Sequence, residues 1–124
     1  MNKEEIVREL AQGWVEKDEA VFRKHMSADF HFKGPMMESH GLDEMFASME
    51  ACPFESSCQN SELVIQGDNV VNVFDWVVTK PFLATIPCVE VMAFDGNKVK
   101  KSRLFFDTAQ LPKEFVEQMM KIAA

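Results

Sequence analysis

Hydrophobic and polar positions recur with two different periods along this chain, and the period changes near its middle. Ile6, Val7, Leu10, Trp14 and Val15 fall at helical spacing, with Lys3, Glu4, Arg8, Glu9, Gln12 and Glu16 on the other face. Asn2 followed three residues later by Glu5 has the form of a capping box. Asp18 can cap a second, short helix with Val21, Phe22 and Met26 inward. Phe30 and Phe32 alternate with His31 and Lys33, which predicts a short strand ended by Gly34-Pro35. A third helix starts at about Leu42, with Leu42, Met45, Phe46 and Met49 on one stripe, and Pro53 stops it.

The second half changes to strands. Residues 56–66 are polar but extended in character, and Gly67-Asp68-Asn69 is a turn signal. Residues 70–79 are β-branched and aromatic, and Lys80-Pro81 interrupts them. A second long strand runs from about Leu83 to Asp95, Gly96-Asn97 makes a hairpin, and residues 98–107 return. Pro112 opens a last helix with Phe115, Val116, Met119 and Ile122 inward. The order α-α-β-α-β-β-β-β-α predicts an α+β fold, a curved antiparallel sheet with helices on one face.

Composition narrows the function classes. At 124 residues the chain is long enough for one domain, residues 1–124, whose core needs no disulfide or metal staple. Its net charge of -7 argues against a nucleic-acid partner, because an acidic surface repels phosphates. Neither a signal peptide nor an apolar membrane span is expected. Cys52, Cys58 and Cys88 are an odd number of cysteines, read as reduced thiols in the cytoplasm. His25, His31 and His40 show no ligand spacing, so no metal site is expected; His31 could reach a pocket mouth but reads as a surface residue. The chain lacks a phosphate-cradling glycine loop, a dinucleotide fingerprint and a G-x-S-x-G elbow, so no cofactor is expected.

Glu90 is the leading candidate for chemistry. It is the only charged residue from Pro81 to Phe94, and its neighbours Val89, Val91, Met92 and Phe94 are apolar on both strand faces. Inside an apolar cavity, desolvation would raise its pKa and make it a donor near neutral pH; on a solvated face it would be an ordinary carboxylate. The hairpin decides between these. A two-residue loop at Gly96-Asn97 sets Glu90 opposite Arg103, an ion pair. A loop one residue longer sets it opposite Leu104, against an apolar wall with Ser102 and Phe106. Asn72, Phe74 and Trp76 share one strand face; a tight turn at Lys80-Pro81 would bring Asn72 beside Glu90 as a polar anchor. Phe74 and Trp76 then serve as core or as the wall for a planar ligand. Met92 and Phe32 belong to the same apolar lining. Trp14 reads as core or as pocket wall, and Asp75 as an outward residue or a dimer-face hydrogen-bonder.

Two stretches carry a family likeness. His40-Gly41-Leu42-Asp43-Glu44-Met45 resembles a short turn glycine leading into a third helix. Cys88 to Val99, followed by Arg103-Leu104-Phe105-Phe106-Asp107, resembles a last hairpin: an apolar strand, a glycine turn and a closing strand. With the element order, they are similar to the nuclear transport factor 2-like superfamily, which includes SnoaL-like polyketide cyclases, ketosteroid isomerases and limonene epoxide hydrolases. The resemblance implies a cone-shaped sheet around a deep apolar pocket, often in a homodimer. It implies the register with Leu104 opposite Glu90, and it aligns Glu90 with the hydrogen-bond-donating aspartic acid of ketosteroid isomerases.

Departures are also clear. The chain has 0 tyrosines, so the isomerases' tyrosine donor is missing. Gly34 stands where their base would be. Leu104 stands at the last-strand aspartate of the hydrolases and cyclases, and Phe74 and Trp76 near the hydrolases' arginine and aspartate. The expected function is therefore binding of a small apolar molecule. The alternative is an isomerase, cyclase or dehydratase acting on a small apolar carbonyl compound, with Glu90 as acid-base group and Asn72 or Ser102 as partner. A third reading, a structural dimer with a filled pocket, rests on 11 Phe and 9 Met.

Overall fold

Eleven elements follow one another in the computed structural model, which describes residues 1–123 and side chains through Lys121. They are α1 (Lys3–Glu16), α2 (Glu19–His25), β1 (Met26–Lys33), β2 (Glu38–His40), α3 (Leu42–Ala51), β3 (Glu55–Gln66), β4 (Asn69–Lys80), β5 (Ala84–Asp95), β6 (Lys98–Phe105), a 3-10 turn (Thr108–Gln110) and α4 (Lys113–Ala123). The helix starts follow the chain's capping chemistry. Asn2 Oδ1 accepts from Glu5 N at 2.8 Å while Glu5 returns its carboxylate to Asn2 N, and Asp18 accepts from Ala20 N. Gly41 enters α3 with φ 90° and ψ 159°, a conformation open only to glycine, and this turns the chain off β2. Val15 is exposed at 39 %, not inward, because α1 ends one residue later in the left-handed Lys17. The expected inward place of Ile122 falls outside the described side chains.

The six strands form one curved, unclosed sheet in the order β2-β1-β6-β5-β4-β3. It is mixed, which corrects the antiparallel expectation: β1 runs parallel to β6 (Phe32 beside Ser102, Lys33 beside Arg103). The two strands are neighbours in space, but their paired residues lie 70 or more positions apart in sequence, so no local turn signal reveals the pairing. β1 also starts at Met26, earlier than Phe30, and takes Met26 from the end of the second helix. β2 is a three-residue strand with no apolar residue to mark it.

The β5–β6 hairpin settles the position of Glu90. Asp95 faces Lys98, so the loop is the two residues Gly96-Asn97. Phe94 faces Val99 and Ala93 faces Lys101, however, leaving Lys100 as a bulge that shifts the remaining register by one. Glu90 therefore lies opposite Leu104 and Arg103 opposite Val91. The expected register is present, produced by a bulge and not by a longer loop. On the other side of β5, Glu90 faces Asn72.

The helices pack on the concave face and split the core in two. One cluster joins Ile6, Val7 and Leu10 of α1 to Phe30, Met45, Phe46, Met92 and Phe94. The other joins Phe54, Phe74, Trp76, Ile86, Cys88, Phe115 and Met119. No helix among the described residues is long and apolar enough to cross a membrane.

Candidate functional site

Between the two clusters lies a cavity of about 160 Å³. Trp14, Phe32, Asn72, Phe74, Trp76, Glu90, Met92, Ser102, Leu104 and Phe106 all border it. The strand period explains why: alternate residues of β4, β5 and β6 share the concave face, in the rows Asn72–Glu90–Leu104 and Val70–Met92–Ser102. The parallel pairing adds Phe32 beside Ser102.

Other lining residues carry no sequence pattern that separates lining from core. Val7, Leu10 and Ala11 come from α1, Met45 from α3, and Met119 from α4; Gly34 to Met37 come from the β1–β2 connection, and Phe54 from the segment after Pro53. Helix stripes of this kind read as core, and only the cavity distinguishes lining from filling. The cluster Met36-Met37 was the available signal, since methionine suits irregular surfaces.

The cavity is polarised. At one end aromatic rings pack against each other: Phe54 and Trp76 at 4.8 Å between centroids, Phe54 and Phe115 at 4.5 Å, Trp76 and Phe106 at 5.7 Å. At the other end stands the Glu90 carboxyl. Ser102, a diagonal neighbour across the β5–β6 pair, donates from Oγ to Glu90 Oε2 at 2.5 Å. Burial raises the Glu90 pKa above its usual value, and the Ser102 hydrogen bond opposes this more weakly. Glu90 is half-buried and borders the cavity. Among the described residues no cation offsets the burial, because the bulge at Lys100 leaves Arg103 on the other sheet face.

Asn72 is 3 % exposed, and its Oδ1 accepts no hydrogen bond. A buried acceptor without a donor costs about 1–3 kcal/mol, so a donor that reaches it after a small side-chain shift would find a ready partner. The cavity's other titratable groups are thiols. Burial, with the nearby negative charge of Glu90, pushes Cys58 up to about 11 and Cys88 to about 12, and burial also raises Cys52. They stay protonated and unreactive. Asp75 points away from the cavity, where Asn60 Nδ2 donates to it at 2.9 Å. His31 is on the outer face too, 2.7 Å from Glu38.

No family model and no curated protein matches the chain. Solved structures match it closely in shape. An NTF2-like protein of unknown function from Burkholderia pseudomallei superposes with a TM-score of 0.75, over 100 % of this chain and 98 % of its own, at 19 % identity. The chain has the nuclear transport factor 2-like fold. A candidate SnoaL-like polyketide cyclase from Jannaschia sp. shares this fold with a TM-score of 0.74 and 21 % identity, covering 97 % of this chain and 90 % of that one. TerC, co-crystallised with polyporic acid, does so with a TM-score of 0.74 and 20 % identity, covering 93 % and 95 %. At such identities the NTF2-like likeness is one of backbone, and the chemistry has to be read from this chain's own residues.

Proposed function

We propose that the cavity binds a small, mainly apolar molecule carrying one hydroxyl or carbonyl group, seated against Glu90 and Asn72. The observation that carries this is the unpartnered Asn72 Oδ1 beside a desolvated Glu90 carboxyl, at one end of an otherwise apolar cavity. The volume suits about one ring: an apolar cavity of roughly 150 Å³ accommodates benzene. A protonated Glu90 donates to a carbonyl oxygen, and Asn72 Oδ1 accepts from a hydroxyl. TerC, which shares this fold, is co-crystallised with a small molecule, polyporic acid, and this supports small-molecule binding on the fold.

A second reading is favoured by the same raised pKa. A carboxyl whose pKa burial raises is a better proton donor to a carbonyl substrate than a solvated carboxylate, as an isomerase, cyclase or dehydratase requires. Binding takes precedence because the cavity offers one acid-base group and no second, the three thiols being held protonated.

The three free thiols fit a reducing compartment such as the cytoplasm. A second copy of this chain is the proposed occupant of the outer sheet face, where Val64, Val73 and Phe105 are 61 %, 42 % and 50 % exposed.

Titration by NMR with phenol and its isostere toluene tests the binding reading. Phenol should bind about tenfold more tightly, since it alone satisfies Asn72, and Asn72→Leu should abolish the preference. Equal or tighter toluene binding would contradict it. Cyclohexanone in deuterated water tests the second reading alongside: exchange α to the carbonyl, lost in Glu90→Gln, would establish catalysis.

A further inference from the structure

The face of the sheet opposite the cavity holds a cluster that the sequence spacing conceals. His31 on β1 pairs directly with His40 on β2, and Glu38 lies two residues before His40 on the same face. The two imidazoles stack at 4.7 Å between centroids with an interplanar angle of 23°. His31 Nε2 lies 2.7 Å from Glu38 Oε2, and His40 Nε2 lies 3.8 Å from the same oxygen. The three donor atoms all fall within 4.8 Å of one another.

We propose that His31, Glu38 and His40 bind a late first-row divalent metal ion, with zinc as the first candidate. Two imidazoles and one carboxylate are ligands suited to zinc, nickel or copper and poorly suited to magnesium or calcium. In a tetrahedral zinc site with bonds of about 2.0–2.1 Å, donor atoms stand about 3.3 Å apart. Chelation requires the two stacked rings to turn so that their ring nitrogens converge, and the exposure of His40 (68 %) and Glu38 (44 %) leaves room for those rotations. Three protein donors leave a fourth position for water or an external ligand.

The backbone arranges the site in advance. Gly34 N donates to Met37 O at 2.8 Å and closes the β1–β2 connection, and the amide of His40 donates to Glu44 Oε1 at 3.2 Å. Lys33, opposite Glu38, and Lys101, beside His31, also face this region with Arg103. Their positive charge weakens cation binding at low ionic strength, so affinity should rise with salt. The site is distinct from the cavity, because Phe32, the next residue after His31, points inward.

Calorimetric titration of the whole chain with zinc chloride tests the proposal, with magnesium chloride as control and the cobalt(II) visible spectrum as a ligand reporter. The expected result is one zinc per chain, no magnesium binding, and at least a tenfold loss of affinity in each of His31→Ala, His40→Ala and Glu38→Gln. The cobalt spectrum should lack a thiolate charge-transfer band. Zinc binding unchanged by these substitutions, a thiolate band that places the metal on cysteine, or no zinc binding would each overturn it.

Discussion

Glu90 is a carboxyl group placed where its charged form is poorly solvated, and this has a signed consequence for stability. Burial raises its folded-state pKa above the unfolded value. The folded chain therefore binds more protons than the unfolded chain between those two values. Glu90's contribution is fully present below the unfolded pKa, and it is lost as the pH rises through the folded one. The loss is about 1.4 kcal/mol per pH unit within that window. Glu9 and Glu38 have the opposite sign: their histidine partners lower their pKa values, so their contribution is lost in acid. Glu90→Gln keeps the shape and an acceptor for Ser102 but removes only the Glu90 titration. Urea unfolding at several pH values should therefore show the variant gaining stability relative to the parent as the pH rises above about 4.5. A stability difference independent of pH would contradict the burial of Glu90.

Among the elements, the sheet carries most of the argument. Its concave face holds the cavity, while its outer face presents Val64, Val71 and Val91 in one row and Val73, Val89 and Phe105 in the next. Acidic Glu62 and Asp75 flank these rows on the β3–β4 side, and basic Lys101 and Arg103 flank them on the β6 side. A two-fold axis parallel to the strands would set each basic side over its copy's acidic side, with the valines between. Sedimentation should accordingly give a dimer for the parent chain and a monomer for Val73→Glu. A monomeric parent or a dimeric variant would remove the face from consideration. The same strands show what local patterning can convey. Alternation placed Asn72, Phe74 and Trp76 on one face, because the period of a strand is a property of consecutive residues; Glu90 and Ser102 joined them only through the register that the family likeness implied. Alternation could not reveal the parallel β1–β6 pairing, which joins residues distant in sequence, nor the bulge at Lys100 and the short β2, which leave no mark in the hydrophobic period.

At the scale of the whole molecule, the cavity exists because two cores stop short of meeting. Ten of its lining residues were legible in the sequence, chiefly from strand alternation and the family likeness. The lining from α1, α3, α4 and the Gly34–Met37 connection was not, since a helix stripe is the same whether it faces a filled core or a space. The histidine cluster was hidden for a related reason: His31 and His40 are nine positions apart, and only the β1–β2 pairing brings them together. The central claim is that the fold encloses Glu90 in a desolvated, apolar cavity and leaves it without a cation partner. The carboxyl-carbon NMR titration of Glu90, assigned by comparison with Glu90→Gln, tests that claim most directly. The account predicts a pKa well above the unperturbed value of about 4.3. A value at or below it would mean a solvated or ion-paired carboxylate and would contradict the proposed site.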